Sequence, residues 1–193
     1  MSNFRDFLFN RDRPGPYALA LVMTGVRMGE RLLLVGDDAP LFVQLAGKVG
    51  LTGRCAVVVG SQEAAARVEA AAAAAGVLLE EVKHGALPTL PVGDGEFDVA
   101  VVDAGPVFLT GLDRSQRAAL TQSLHRALRT SGRLVVVEGR PRTLLGLFRG
   151  QPAGHDAFRA EGGAARLLEA AGFHPVRVLA DRDGQRFTEG LRK

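Results

Sequence analysis

Three acidic side chains follow apolar runs that read as buried strands of a parallel sheet. Asp37 and Asp38 come after the turn residue Gly36, and Asp103 follows the run Phe97–Val102. The carboxyl ends of such strands form the edge at which open α/β sheets bind ligands. Carboxylates at that edge could orient a substrate, accept a proton or hold a cationic group. The spacing therefore predicts one binding site around these residues, with Asp103 as a candidate catalytic group.

Each of these acids also has a purely structural explanation. Asp38 precedes a helical run that carries Pro40 in its first turn, so its side chain could cap that helix. Asp103 stands before Gly105 and Pro106 and could cap the loop there. A metal site would need a partner for Asp103, and the sequence has no ligand spacing that indicates one. We predict no bound metal.

Two histidines are weaker candidates for acid-base chemistry. His84 follows the third predicted strand, and His155 lies in a segment rich in glycine, proline and arginine. An imidazole can act as a base near neutral pH, but most loop histidines have no such role. His84 therefore ranks below Asp103 as a catalytic candidate.

The order of the predicted elements indicates how these residues are positioned. Apolar runs alternate with helical periodicity, which favours a mainly parallel sheet with helices on both faces. Asp183-Gly184 between the last two runs predicts a hairpin and hence an antiparallel last strand. The predicted strands are 31–35, 55–59, 77–82, 97–102, 133–137, 176–179 and 186–189. The predicted helices cover 17–26, 38–49, 61–76, 115–128 and 163–171.

The fold prediction is a three-layer α/β/α domain with a mostly parallel seven-stranded sheet. It covers residues 17–193, with 1–16 as an appendage and 139–160 as an irregular segment. A length of 193 residues fits one domain, and 47% hydrophobic with 23% charged residues is typical of a soluble globular protein. Cys55 is the single cysteine, so no intrachain disulfide can form. No run is long and apolar enough to span a bilayer and no secretion signal is visible, so we expect a cytoplasmic protein.

Three later segments carry a family resemblance. Residues 128–138, LRTSGRLVVVE, are similar to a Leu-Lys-Pro-Gly-Gly-Arg-Leu strand entry, and 90–98, LPVGDGEFD, to a Leu-Pro…Asp-Gly-x-Phe-Asp entry. Residues 167–173, LLEAAGF, are similar to a Leu-Leu-x-x-Ala-Gly-Phe segment. Their order and spacing resemble class I S-adenosylmethionine-dependent methyltransferases, especially the small-molecule type related to quinone biosynthesis. The resemblance implies that fold, that cofactor and methyl transfer to a small molecule.

The resemblance also implies which residues meet the cofactor. They lie in the turns after the first four strands, at Gly36, Asp37, Asp38, Gly60, Ser61, Ala86, Leu87 and Asp103.

The same turns depart from the family pattern. Asp38 and Pro40 stand where the family has glycines, and Leu34 stands where it has an acid. The second strand ends at Val59-Gly60, without the acid that holds the ribose hydroxyls, and the loop 83–87 lacks the acid beside adenine. These departures together indicate altered or abolished cofactor binding.

Two hypotheses of different classes follow. The first is a methyltransferase with an unusual cofactor loop, acting on a small molecule. The second is a catalytically inactive methyltransferase-fold protein that serves in assembly or regulation with a protein partner or as a homodimer. The motif departures favour the second hypothesis, and the general habits of the fold favour the first.

An arginine-rich surface supports a weaker, third hypothesis. Few acids are near these arginines in the sequence, chiefly Asp113 and Glu138, so the surface could meet RNA, an anionic substrate or an acidic partner. No aromatic platform accompanies it, and a solvated surface is the better interpretation. The arginines are Arg114, Arg117, Arg126, Arg129, Arg133, Arg140, Arg142 and Arg149. Between the last two, the apolar residues Leu144, Leu145, Leu147 and Phe148 could form a lid, a dimer contact or a membrane-surface patch.

Overall fold

A computed structural model of the chain describes residues 15, 17–85, 87–140 and 153–193. The predicted appendage falls outside the described residues except for Gly15, as do Ala86 and the apolar run 144–148. Their predicted roles, and the domain boundary at residue 17, remain predictions.

The described strands form one seven-stranded sheet in the order β3-β2-β1-β4-β5-β7-β6. The strands are β1 Arg31–Val35, β2 Arg54–Val59, β3 Glu81–His84, β4 Phe97–Ala104, β5 Leu128–Gly139, β6 Val176–Arg182 and β7 Gln185–Leu191. The helices are α1 Ala18–Met23, α2 Ala39–Val49, α3 Gln62–Ala75, α4 Pro106–Leu109, α5 Arg114–Ala127, α6 His155–Ala160 and α7 Gly163–Ala170.

The strands β1 to β5 are parallel, and β7 pairs antiparallel with both β5 and β6. This topology confirms the predicted fold class. The central strand β1 is buried on both faces, because Leu33 and Val35 join one apolar cluster while Leu32 and Leu34 join the other. Continuous burial explains why this strand reads as an unbroken apolar run.

Local chemistry begins and ends the helices around this sheet. The Asp38 carboxylate accepts from the Leu41 N–H at 3.1 Å, and the Ser61 hydroxyl accepts from the Ala64 N–H at 3.2 Å. These caps start α2 and α3, and Gly76 ends α3 in the left-handed conformation. Each cap satisfies a backbone N–H that the helix itself leaves free.

Three predictions of secondary structure are wrong. The strand predicted at 77–82 is β3 at Glu81–His84, because pairing with β2 begins at Glu81 and Leu78 before it is exposed. The predicted turn at Ser131-Gly132 lies inside β5, where the register against β4 shifts and Ser131 has φ 63°. The segment predicted as irregular contains α6, a short helix between Gly154 and Glu161.

No helix among the described residues is long and apolar enough to cross a membrane.

Candidate functional site

The candidate site lies where β1 ends between β2 and β4. The chain runs outward from β1 through β2 to β3, and then returns to the other side of β1 as β4. This reversal is the topological switch point, where the loops after the two strands separate and open α/β folds bind ligands. The predicted residues Asp37 and Asp38 after β1 are brought together here with Asp103, which is the second-last residue of β4 and not, as predicted, a loop residue after the strand.

Gly36, just after β1, packs closely against Asp103 at the end of β4. It has φ +136°, and a Cβ placed on it would lie 2.8 Å from the Cβ of Asp103 and 3.1 Å from the Asp103 carbonyl oxygen. Only glycine adopts such a backbone readily, and no side chain fits the space. The glycine is therefore required by the packing of the two strands, whatever binds above them.

Asp38 is held from two directions. Besides capping α2, its carboxylate accepts a hydrogen bond from the Tyr17 hydroxyl at 3.0 Å. Burial raises the pKa of Asp38, while the Leu41 N–H and the Tyr17 hydroxyl oppose that shift. Burial, and then the neighbouring Asp38 charge, raises the pKa of Tyr17 well above its usual range. The capping interpretation of Asp38 is correct, and Tyr17 is a site residue that the sequence reasoning missed.

Asp103 is the most perturbed acid of the site. The residue is 9% exposed, and the pKa of its carboxyl group is raised to about 7, first by burial and then by the charges of Asp38 and Asp37. The Asp37 N–H donates to it, and the positive charge of Arg140 acts in the opposite direction. One buried carboxyl group therefore titrates near neutral pH at the switch point, as catalytic and ligand-binding groups often do.

The site as a whole carries an excess of negative charge within a basic protein. The chain has a formal charge of +3, yet Asp37, Asp38 and Asp103 gather at this edge. Arg140 is exposed and acts electrostatically on Tyr17, Asp38 and Asp103. Arg67 reaches the Asp37 carboxylate only at 3.9 Å. This arrangement favours a ligand that carries positive charge.

The end of β2 supplies no polar side chain to the site except Ser61. Gly60 is exposed, and a Cβ placed on it would lie 3.1 Å from Cγ1 of Val107 in α4. The short helix after β4 therefore reaches across the end of β1 to the end of β2. The Ser61 hydroxyl accepts from the first turn of α3.

The remaining candidates lie apart from the acidic residues. His84 is the exposed last residue of β3, opposite Val59 of β2, and not a loop residue after the strand. Leu87 packs partly buried against the core cluster on one face of the sheet. His155 is buried at the start of α6, with Nδ1 3.5 Å from the Asp156 carboxylate. Among the described residues, no group of three or more potential ligands could hold a metal ion.

The arginines have more acidic partners than the sequence suggested. Arg129 pairs with Asp98 at 2.5 Å, and Arg133 pairs with Glu30 at 3.0 Å. These acids come from segments far away in the sequence, which local inspection could not reveal. Pairing of this kind reduces the positive charge available for nucleic acid.

Comparison with known proteins gives likeness in structure alone. No family model matches the chain, and no curated protein matches it by sequence. A methyltransferase dependent on S-adenosylmethionine from Aquifex aeolicus superposes with a TM-score of 0.71 at 17% identity, covering 93% of this chain and 90% of that chain.

Two further structures agree with this likeness. An O-methyltransferase dependent on S-adenosylmethionine from Thermotoga maritima has a TM-score of 0.65 at 15% identity, covering 97% of this chain and 70% of that chain. A methyltransferase from Mesorhizobium loti has a TM-score of 0.59 at 19% identity, covering 92% of this chain and 98% of that chain. The protein thus has the fold of class I S-adenosylmethionine-dependent methyltransferases.

Proposed function

We propose that this protein binds S-adenosylmethionine at the acidic switch point and transfers the methyl group to a small molecule. The observation that carries the proposal is the excess of negative charge around Asp103, at the edge where this fold binds ligands. S-adenosylmethionine supplies an electrophilic methyl group on a positively charged sulfur, and its methionine part carries an ammonium group as well.

The acidic residues fit the cationic part of this cofactor. A carboxyl group whose pKa is raised by burial and like charge is stabilised in its ionised form when a cation comes within about 4–6 Å. Asp103 and Asp37 would contact the positively charged groups of the cofactor. Asp38 would hold the loop after β1 in place, because it caps α2 and accepts a hydrogen bond from Tyr17. Positioning of this kind is the main contribution that such an enzyme makes, since a preformed arrangement removes the entropic cost of bringing the reactants together.

The end of β2 fits the cofactor less well. Gly60 offers no acceptor for ribose hydroxyls, and Val107 stands beside it. Glu63, in the first turn of α3, is the nearest acidic residue in the sequence. We therefore expect weaker binding than an acid at position 60 would give.

The second candidate function depends on how far Val107 fills the space beside Gly60. If Val107 closes the space above Gly60, the protein is a methyltransferase-fold module without catalysis, acting with a protein partner or a second copy. The acceptor type related to quinone biosynthesis and the homodimer both remain predictions.

Calorimetric titration of the whole protein with S-adenosylmethionine tests the proposal. We expect heat of binding for the protein as it is and for Glu81→Gln, which removes an acid from the amino-terminal start of β3. Asp37→Asn should bind at least several-fold more weakly, because an ionised partner strengthens a hydrogen bond or contact to a cation.

Val107→Ala separates the two candidate functions. If the Val107 side chain only narrows the site, its removal should strengthen binding of the cofactor. Absence of binding heat in both the unchanged protein and Val107→Ala would reject the methyltransferase proposal and support the non-catalytic module.

A further inference from the structure

Large apolar side chains are exposed at the amino ends of the parallel strands, the sheet edge farthest from the candidate site. Met28 lies in the loop before β1, Leu51 in the loop before β2 and Leu78 in the loop before β3. Their exposed fractions are 77%, 86% and 74%, and Val22 in the last turn of α1 is 65% exposed. These four are all but one of the large apolar side chains that are exposed in the described part of the chain.

The end of α2 brings two of these side chains together. The Gly29 N–H donates to the carbonyl of Val49, the last residue of α2, at 2.9 Å. A Cβ placed on Gly50 would lie 3.5 Å from Cγ of Met28, and Leu51 follows directly in the chain. The loops before β1 and β2 therefore touch, with an exposed apolar side chain on each.

The same turn of α2 also contacts the segments that carry the other two. The Lys48 ammonium donates to the carbonyl of Leu21, the neighbour of the exposed valine of α1, at 3.0 Å. A Cβ placed on Gly47 would lie 3.7 Å from Cγ2 of Val77, which precedes Leu78. Four separate segments thus present one apolar surface around the end of α2. We call the set Val22, Met28, Leu51 and Leu78 the amino-edge patch.

The charge beside the amino-edge patch is positive. Arg27 and Lys48 are exposed, and neither forms a salt bridge with an acid among the described residues. The nearby acids are already paired, Glu30 with Arg133 at 3.0 Å and Glu80 with Arg54 at 3.4 Å. An apolar surface with unbalanced positive charge beside it favours a partner that is both apolar and anionic.

We propose that the amino-edge patch docks on the surface of a membrane that contains anionic lipids. Apolar side chains on separate loops can each enter the interface of a fluid bilayer, which needs no matching pocket, while Arg27 and Lys48 contact the lipid phosphates. A second copy of the chain would bring the same positive charges together across a two-fold axis. A nucleic acid would meet those charges but leave the exposed apolar side chains without a partner.

This attachment agrees with the charge at the two ends of the parallel strands. The acidic residues Asp37, Asp38 and Asp103 gather at the carboxyl edge, and β1 between the two edges has 5 residues, a length of about 17 Å. Docking by the amino-edge patch turns the acids away from a negatively charged surface and leaves the candidate site open. The inference does not rest on the proposed function.

Cosedimentation of the whole protein with lipid vesicles tests the proposal. Vesicles of phosphatidylglycerol and phosphatidylcholine in equal parts should bind the protein, and added salt should weaken that binding. Vesicles of phosphatidylcholine alone should bind at least about fivefold more weakly, because the attraction between the cations and anionic lipid is lost. No sedimentation with the anionic vesicles, or equal binding to both lipids, would overturn the proposal.

Variants locate the surface that binds. Leu51→Ser should weaken binding to the anionic vesicles at least about fivefold, because an apolar side chain no longer enters the bilayer. Arg27→Gln should weaken it about fivefold through the lost charge. Val178→Ser is the matched control, since this exposed valine lies on β6 outside the patch, and it should change binding less than about twofold. Unchanged vesicle binding in Leu51→Ser and Arg27→Gln would overturn the proposal.

Sedimentation equilibrium without lipid distinguishes docking on a membrane from docking on a second copy. We expect the same molar mass for the unchanged protein and Leu51→Ser. A dimer that Leu51→Ser converts into a monomer would overturn the proposal and assign the patch to self-association. Because no cofactor is present, both experiments are independent of whether S-adenosylmethionine binds.

Discussion

The sheet edge at the carboxyl ends of the parallel strands has two halves, one where β1 meets β4 and one where β5 meets β7. The buried acids of the two halves lack different partners. Where β1 meets β4, Asp38 and Asp103 both accept hydrogen bonds from backbone N–H groups. The negative charge of the acids there nevertheless exceeds the positive charge beside them. Where β5 meets β7, Glu138 has the guanidinium groups of Arg186 and Arg159 nearby but an oxygen without a hydrogen-bond partner. The first half therefore has negative charge that is not balanced, whereas the second has a balanced charge and an incomplete set of hydrogen bonds.

The largest expected effect concerns the charge excess at Asp103. Its pKa is about 7 in the folded protein against 3.8 for an unperturbed group, so the folded state binds the proton more tightly. The stability due to the bound proton is present at low pH and is lost as pH rises from about 4 to about 7. Relative to the unchanged protein, the free energy of unfolding of Asp103→Asn should rise by up to about 4 kcal/mol between pH 4 and pH 8.

Urea unfolding at several pH values measures this difference, with Asp98→Asn as the control. Burial opposes ionisation of Asp98, but hydrogen bonds from Arg31 and Arg129 outweigh it and hold its pKa below the usual range. Above about pH 4 Asp98 is ionised in both the folded and the unfolded protein, so the stability difference of that control should be nearly constant up to pH 8. A pH-independent difference for Asp103→Asn would contradict the charge excess.

The next effect concerns the close contact that holds the first half together. Gly36→Ala should destabilise the protein by about 3 kcal/mol, because the new Cβ meets Asp103 and the backbone at φ +136° is strained. Gly85→Ala is the matched control, since a Cβ there has nothing within 4 Å. Chemical denaturation compares the two, and equal losses would mean that β1 and β4 are packed less closely than described.

A smaller effect is expected where α1 is tied to the acidic site. Tyr17→Phe removes the hydroxyl that donates to Asp38 and should cost about 1–2 kcal/mol. A double-mutant cycle with Asp38→Asn isolates the pair and should give a coupling energy of about 1 kcal/mol. Strictly additive losses in unfolding free energy would show that the two side chains do not interact.

The smallest expected effect concerns the buried hydroxyl of Thr188 on β7, in the second half of the edge. The Thr188 hydroxyl is buried without a partner, so Thr188→Val should leave stability unchanged or raise it by up to about 1 kcal/mol. Thr24→Val, just after α1, removes a buried hydroxyl that donates to the Ala20 carbonyl at 2.8 Å and should cost about 1 kcal/mol. Thermal unfolding compares the two, and a loss at Thr188 as large as that at Thr24 would show that the hydroxyl has a partner.

The first half of the edge was largely predictable from the sequence. The strands β1, β2 and β4 are mainly apolar runs, and the caps at Asp38 and Ser61 depend on residues within a few positions. The perturbation of Asp103 was not predictable, because it depends on how deeply the chain buries that carboxyl group. Tyr17 was missed because its partner is 21 residues away.

The second half was not predictable for a related reason. The pairing of Glu138 with Arg186 depends on the register between segments almost fifty residues apart, which no local pattern encodes. The helix α6 was missed because it is short and lies between Gly154 and Gly162, which read as loop residues. Sequence thus predicts elements and caps well, whereas sites formed by strand register need the structure.

Proton release on cofactor binding is the most direct test of the proposed function. A cation beside Asp103 must lower its raised pKa, so binding of S-adenosylmethionine near pH 6.5 should release a substantial fraction of a proton. Calorimetry in buffers of different ionisation enthalpy measures that fraction, and Asp103→Asn should abolish most of it. Binding without proton release, or the same release from the variant, would contradict the assignment of Asp103 to the cationic part of the cofactor.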